Sequence, residues 1–303
     1  MKNKNFIILG GNGYIGTALK NKLKENFISI SRNNNNKNNN TYSCNFFSDL
    51  SWTKFIKKNT CIFFLGFEND LYKFEKDSAK ITEEYNNFCL KFYKYIVNKK
   101  KLNLKIIFTS TVSIYGIKEH KITEKNLTNP LTWYDYNKVS IENFFLYLTR
   151  IKLIKFTSLR LSNVYGGDYE SSQNNRGFIN KLLNKNKKKQ KIKVFEEGKY
   201  YRDYIYINDV INALIAAKNK INKINGKVYN VCSGKSYKII DIIKLIIKKI
   251  KTRNMQLVNT KLPKKINKIE TRNFRGSSKL FQKETGWSPK YSIEKGLEES
   301  IKK

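Results

Sequence analysis

Four stretches of the chain are apolar with little interruption: Phe6 to Leu9, Cys61 to Leu65, Lys105 to Thr109 and Phe156 to Leu161. Runs of this length without polar alternation predict strands of a parallel sheet buried on both faces. After Gly16, Leu19 and Leu23 recur at helical spacing, so the N-terminal segment reads as strand, glycine turn, helix. Phe27 to Ser31 reads as a second strand, and the stretch between Leu65 and Lys105 has helical length. Strands and helices alternating at this pitch predict an α/β fold with a doubly wound parallel sheet. Beyond Gly166-Gly167 the rhythm changes. A polar loop from Asp168 to Arg176 leads to a Lys-rich helix, a strand near Ile192 to Phe195 and a further segment at Tyr204 to Ile207. A long apolar helix at Ile239 to Ile250 follows, and Gly286-Trp287-Ser288-Pro289 marks a late turn.

Composition supports a packed core. With 303 residues, 40% hydrophobic and 14% aromatic, the chain is neither disordered nor fibrous. The run from Asn33 to Asn40 is a low-complexity loop that need not be ordered. No apolar run approaches the roughly 20 residues of a membrane span, and Phe6 to Leu9 is too short for the core of a signal peptide. The expectation is a cytoplasmic protein with no membrane partner.

Cys44, Cys61, Cys89 and Cys232 are widely separated and form no Cys-x-x-Cys pair, so they read as buried reduced thiols, and no metal site is expected. His120 is the only histidine, which excludes Ser-His-Asp triads, His-based metal sites and His phosphotransfer. Proton chemistry must then use Tyr, Lys, Asp, Glu or Cys. The net charge of +36 is spread along the chain, densest from Lys181 to Lys193 around Lys187-Lys188-Lys189. Lys is abundant together with Asn, Ile, Phe and Tyr, a pattern that A/T-rich codon usage produces by itself. The charge therefore reads as compositional, and no nucleic-acid partner is expected.

Between the first strand and first helix lies Gly10-Gly11-Asn12-Gly13-Tyr14-Ile15-Gly16. Glycines in a strand-turn-helix setting let backbone approach a pyrophosphate and point the free N–H groups of a helix start at it. The end of the second strand carries Ser31-Arg32 where a ribose-binding acid would be expected. Arg32 is either a partner for a 2′-phosphate, which favours NADP(H) over NAD(H), or an exposed arginine at a strand end. Further on, Tyr134 and Lys138 form a Tyr-x-x-x-Lys pair. At i, i+4 on a helix both side chains leave one face, so the ammonium can favour the ionised phenol and make it a proton carrier near neutral pH.

With these features the chain resembles the extended short-chain dehydrogenase/reductase family, within its NAD(P)-dependent epimerase/dehydratase group acting on nucleotide sugars. Seven blocks in one order carry the resemblance, which covers essentially the whole chain. They are Gly10-x-x-Gly13-x-x-Gly16, the segment from Thr109 to Gly116, Tyr134-x-x-x-Lys138, Arg160 to Gly166, Tyr201 to Val210, Val228 to Gly234, and Gly286-Trp287-Ser288-Pro289. The resemblance implies a Rossmann-type NAD(P)-binding domain over residues 1–166 with a returning segment at about 203–232. A smaller C-terminal α/β substrate domain would comprise 167–202 and 233–303.

By position, the resemblance makes Thr111 the catalytic hydroxyl, Tyr134 the acid/base and Lys138 the residue on the nicotinamide ribose. Tyr14 and Ile15 belong to the cofactor loop, Asn45-Phe46 stands beside adenine, and Leu65-Gly66 forms the nicotinamide wall, where Phe67 departs from the small residues usual there. Asn163 and Arg202 fall near the substrate's diphosphate, with a surface pair to Asp203 as the other reading of Arg202. The C-terminal phosphate-binding position falls on Arg272 or Lys265. For an expected Asn on the helix after Gly66, the chain offers Glu84, Asn86 and Asn87. A homodimer is implied, through helices at about Asp77 to Asn98 and Tyr134 to Arg150 pairing with their symmetry mates.

The family's sugar 4,6-dehydratases follow the catalytic hydroxyl with acidic residues, whereas this chain has Val112 and Ser113, so dehydration is disfavoured. Two reactions need only Thr111, Tyr134, Lys138 and hydride: 4-epimerisation, and reduction of a 4-keto sugar. Arg32 leans toward NADPH and so ranks the reductase ahead of the epimerase. A non-catalytic NADP(H)-binding sensor or scaffold is the alternative from another class.

Overall fold

The computed structural model describes residues 5–24, 26–32, 40–68, 76–99, 101–118, 121–167, 177–185, 190–250, 255–261 and 271–302. Asn33 to Asn39, His120, Asp168 to Arg176, Lys187 to Lys189 and Lys265 lie outside the described residues. Seven parallel strands form the main sheet: β1 (Phe6–Leu9), β2 (Phe27–Ser31), β3 (Thr41–Ser43), β4 (Cys61–Phe64), β5 (Lys105–Thr111), β6 (Lys155–Leu161) and β10 (Lys227–Val231). Their order is β10-β6-β5-β4-β1-β2-β3, so the chain winds outward in both directions from β1. This is a Rossmann-like α/β fold.

The uninterrupted apolar runs have a direct cause. Ile7, Leu9, Ile62 and Phe64 point into one buried cluster, while Ile8, Cys61 and Phe63 point into the other. Helices α2 (Ser78–Val97) and α3 (Trp133–Arg150) close the first face through Phe88, Phe92 and Phe145. Helices α1 (Tyr14–Leu23) and α5 (Ile207–Ile224) close the second through Leu19, Val210, Leu214 and Ala217.

Helix α5 is absent from the sequence expectation. Ile207, Val210, Ile211, Leu214, Ala217, Ile221 and Ile224 do repeat at helical spacing, and all are buried. Other boundaries shift slightly: β4 stops at Phe64, β5 runs on to Thr111, and Ile207 opens α5 instead of ending a strand. The Lys-rich helix is α4 (Phe178–Lys185). The remaining strands form two small sheets. In one, β9 (Tyr201–Tyr206) pairs in parallel with β7 (Asn163–Tyr165) and antiparallel with β11 (Ser236–Lys238). In the other, β8 (Gln190–Phe195) pairs in parallel with β12 (Met255–Thr260). Helices α6 (Ile239–Ile250), α7 (Lys279–Thr285) and α8 (Ile293–Ile301) complete the C-terminal part.

Of the four cysteine thiols, Cys61 and Cys232 are buried and Cys44 and Cys89 partly so. Among the described residues, no helix is long and apolar enough to cross a membrane, and no group of three or more His, Cys, Asp or Glu is placed to hold a metal ion.

Candidate active site

The glycine loop is built by close contact. Gly10 and Gly11 donate from their N–H groups to Ile30 O at 2.9 and 3.3 Å, and Gly13 N donates to Gly10 O at 3.0 Å. Gly10 has φ +87°, and a Cβ there would lie 2.4 Å from Gly66 Cα, so only glycine fits. Helix α1 starts behind Gly13 with no side chain capping it, which leaves its first N–H groups for a ligand. They face a cavity of about 860 Å³ whose walls include Gly10, Gly13, Tyr14, Ile15, Gly16, Ser31, Arg32, Asn45, Phe46, Leu65 and Gly66. Every residue expected at the dinucleotide's adenosine and pyrophosphate end thus reaches one cleft. Its glycine cradle, uncapped helix start and size fit a nicotinamide dinucleotide.

Individual side chains there do different work. Tyr14 donates its hydroxyl to Gly166 O at 2.6 Å, tying the loop to the end of β7, and burial pushes its phenol pKa up. Ser31 Oγ accepts from Asn12 N at 3.0 Å and so braces the loop. Asn45 donates through its amide to the Glu84 carboxylate. Of the three helix candidates, Glu84 and Asn87 line the cleft and Asn86 does not. Phe46 is buried, and a Cβ on Gly66 would come within 2.6 Å of its ring. Phe67, which the resemblance sets at the nicotinamide wall, lines the cleft, as does Glu68, to which sequence reasoning gave no ligand-binding role.

The second group gathers where β5 ends. Thr111 is the last residue of that strand, and its Oγ1 accepts from Ser113 N at 3.1 Å. Tyr134 sits in the first turn of α3, a helix capped by Thr132 Oγ1 accepting from Asp135 N at 3.0 Å. The Tyr134 phenol is hydrogen-bonded to the Thr111 side chain. Thr111 Oγ1 is in turn 2.9 Å from Ser113 Oγ, and Ser113 Oγ donates to the carboxylate of Asp135. Asp135 is only 1% exposed, and its other oxygen lies 3.8 Å from Arg272 Nη1. A continuous line of polar groups therefore runs from Tyr134 through Thr111 and Ser113 to Asp135 and Arg272.

Lys138 is one turn along α3 and buried. Its Nζ donates to Thr109 O at 2.7 Å, and the Phe67 ring centre lies 4.0 Å from it. Burial pulls its pKa down to about 7. The Tyr134 phenol shifts the opposite way from the expected activation by lysine. Burial raises its pKa, the charge of Asp135 raises it further, and Arg272 and the Thr111 bond only partly oppose them. The phenol is thus held protonated, because desolvation of the anion outweighs nearby positive charge.

A smaller cavity of about 190 Å³ opens on this chemistry, with walls that include Thr111, Ser113, Tyr134, Asn163, Arg202, Arg272 and Phe274. The structure thus brings the expected substrate residues Asn163, Arg202 and Arg272 beside Thr111 and Tyr134. Asn163 donates to Asp203 O at 3.1 Å. Asp203 turns inward and accepts from Ser162 Oγ, Ser233 N and Gly234 N, while the Arg202 guanidinium lies over the Tyr200 ring. Arg272 is placed by its neighbours: Asn273 accepts from Tyr201 N, and Phe274 N donates to Tyr201 O. Asp135 and Ser113 have no place among the sequence-predicted acid/base groups. As the acid in the first turn of a capped helix, Asp135 carries a signal that reads as helix initiation.

The sequence profile of the NAD dependent epimerase/dehydratase family matches residues 6–232. The chain belongs to that family. Its members include proteins named for epimerases, dehydratases and reductases of nucleotide sugars. Among curated relatives, a putative UDP-glucose 4-epimerase of Methanocaldococcus jannaschii is 26% identical over 65% of this chain and 62% of its own length. A dTDP-4-dehydro-6-deoxyglucose reductase of Escherichia coli is also 26% identical, over 65% of this chain and 60% of its own. These two matches each span about three fifths of the relative. Among solved structures, the UDP-glucose 4-epimerase of Thermotoga maritima with UDP-glucose aligns with a TM-score of 0.84 at 22% identity, covering 98% of this chain and 97% of that one. That likeness is one of fold.

Proposed function

We propose that this member of the epimerase/dehydratase family reduces the 4-keto group of a nucleotide-diphosphate hexose. In this reading, residues 1–166 with the returning segment 203–232 hold the dinucleotide, and 167–202 with 233–303 hold the sugar nucleotide. The observation that carries it is the hydroxyl line behind Tyr134. Reduction of a ketone consumes one proton in every turnover, whereas epimerisation gives its proton back. A buried phenol held in its protonated form starts each turnover carrying the proton that the keto oxygen requires, and once that proton is given it must be recharged.

Tyr134 gives its proton to the C4 oxygen, and Thr111, within hydrogen-bonding reach of the phenol, orients both. The phenolate left behind takes the proton of Thr111 Oγ1, Thr111 takes that of Ser113, and Ser113, which lines the small cavity, is recharged by solvent there while the Asp135 carboxylate, as acceptor, orients its hydroxyl. Lys138, whose Nζ donates to Thr109 O under the Phe67 ring, would hold the nicotinamide ribose when the dinucleotide is bound. When bound, a reduced nicotinamide dinucleotide supplies hydride to C4. Arg202 and Arg272 offer two guanidiniums to the diphosphate of the substrate, with Asn163 beside them.

Dehydration is a poorer fit. Val112 and Ser113 line the small cavity, no acid is among its described walls, and Asp135 is bound behind Ser113. The 4-epimerase is the second reading, supported by the relative of that name and by needing the same Tyr134, Thr111 and Lys138. The test is to add 4-keto-6-deoxyhexoses linked to dTDP, CDP or UDP to the protein with NADH or NADPH. Oxidation of one cofactor per keto sugar supports reduction. Interconversion of UDP-glucose and UDP-galactose without net cofactor use supports the second reading.

A further inference from the structure

The adenosine end of the cleft holds a charge arrangement that the glycine loop does not explain. Strand β1 is flanked by β2 and β4 in matching register, Leu9 facing Ile30 on one side and Phe64 on the other. The segments leaving β2 and β4 therefore rise on either side of the glycine loop. Arg32 comes from the first and Glu68 from the second, and they converge at 3.9 Å from Nη2 to Oε2. Both line the large cavity.

We propose that Glu68, supplied from beyond β4, is the acid that recognises the adenosine ribose and makes this cleft select NAD(H) over NADP(H), with Arg32 as its counter-charge. The inference rests on reading the cleft as a nicotinamide dinucleotide site. In a doubly wound sheet that ribose lies at the C-terminal end of the second strand, which here is the position of Arg32. A carboxylate within 4 Å of Arg32 stands at the same place.

The two side chains are not held equally. The Glu68 side chain is 13% exposed and that of Arg32 62% exposed. Glu68 N donates to the Tyr85 hydroxyl at 3.1 Å, which fixes the backbone that presents the carboxylate. The Arg32 backbone is held at its carbonyl, which accepts from Ser43 Oγ at 3.0 Å, while its side chain reaches into solvent. The acid is thus the better-placed group and the guanidinium the adjustable one. A 2′-hydroxyl donates to a carboxylate in a charge-assisted bond. A 2′-phosphate brings close to two negative charges beside Glu68 and must draw Arg32 away from a partner of its own. Other acids line the same cavity, at Asp77, Glu83 and Glu84, and they add to the repulsion.

The experiment is equilibrium titration of the full chain with NADH and with NADPH, followed by nicotinamide fluorescence, with no sugar present. The wild type is expected to bind NADH at least about tenfold tighter than NADPH, a difference of about 1.4 kcal/mol. Glu68→Gln is expected to erase or reverse that ratio, through tighter NADPH and weaker NADH binding. Glu68→Asp is expected to keep the preference for NADH, and circular dichroism reports whether each variant is folded. Arg32→Ala is expected to weaken NADPH binding with little change for NADH. A wild type that prefers NADPH, or a folded Glu68→Gln variant with an unchanged ratio, overturns the proposal and leaves the dinucleotide site standing. Binding of neither cofactor by the wild type overturns both.

Discussion

Ser113 Oγ donates to the carboxylate of Asp135 and lies 2.9 Å from Thr111 Oγ1, so a buried acid is coupled to the hydroxyl that touches Tyr134. If this line recharges Tyr134, Asp135→Asn preserves shape but replaces the carboxylate that accepts from Ser113 and orients its hydroxyl, and so slows proton supply. Its turnover is expected to fall by about ten- to a hundredfold with KM nearly unchanged, within the range for loss of a proton-transfer group. Ser113→Ala is expected to do the same. A larger solvent deuterium effect on kcat in both variants separates slowed proton supply from simple misfolding.

Lys138 gives a pH prediction for stability. Its pKa falls from an ordinary value of about 10.4 to about 7 in the folded chain, through burial. The folded state therefore binds fewer protons than the unfolded state between these values, so this group makes stability rise with pH across that window. Below about pH 7 it is charged in both states and the burial cost is present in full. Lys138→Met is thus expected to raise Tm most near pH 6 and progressively less toward pH 10, read by thermal unfolding at each pH. Equal gains across the series would contradict the assignment.

Gly10 has no room for a side chain, with Gly66 Cα 2.4 Å from the site of a Cβ and φ at +87°. Gly10→Ala is expected to abolish measurable dinucleotide binding and to cost about 1–3 kcal/mol of stability, from a strained backbone and a backbone clash. Titration with NADH together with chemical denaturation checks both parts.

Helices α2 and α3 carry large apolar side chains on their outward faces: Leu90 and Tyr93 on the first, Tyr136 and Tyr147 on the second. Tyr136 and Tyr147 are 11 residues apart, three turns along one helix face. A homodimer through these two helices is expected to cover them. Light scattering at micromolar concentration should give twice the mass of the 35.7 kDa chain, and Leu90→Glu with Tyr147→Glu should give the monomer.

The legible parts of the fold were those in which one physical cause leaves one pattern. Phe6–Leu9 and Cys61–Phe64 are apolar throughout because alternate residues enter two different cores. Gly10 and Gly16 were readable because backbone contact excludes a side chain at both. Helix α5 went unseen although its buried residues keep helical spacing, because Tyr204 to Ile207 before it reads as strand and its first residues form part of a family block. The environment of Tyr134 could not be read from the Tyr-x-x-x-Lys spacing. Spacing places Lys138 on the same helix face, but whether its ammonium meets the phenol depends on Thr109 from β5 and Phe67 from the segment after β4. Asp135 follows Tyr134 directly, which points it about 100° around the helix, and only the turn after β5 makes it part of the site. Glu68 and Arg32 are 36 positions apart and meet only because β2 and β4 both flank β1.

The most direct measurement follows the hydride. The protein is incubated with reduced nicotinamide cofactor deuterated at its transferable position and a nucleotide-linked 4-keto-6-deoxyhexose, and the product sugar is read by NMR. The account predicts deuterium at C4 in a fully reduced sugar, with one cofactor consumed for each. Recovery of unreduced keto sugar alongside 4-epimerised UDP-hexose in a parallel incubation, with no net cofactor consumption, would contradict it.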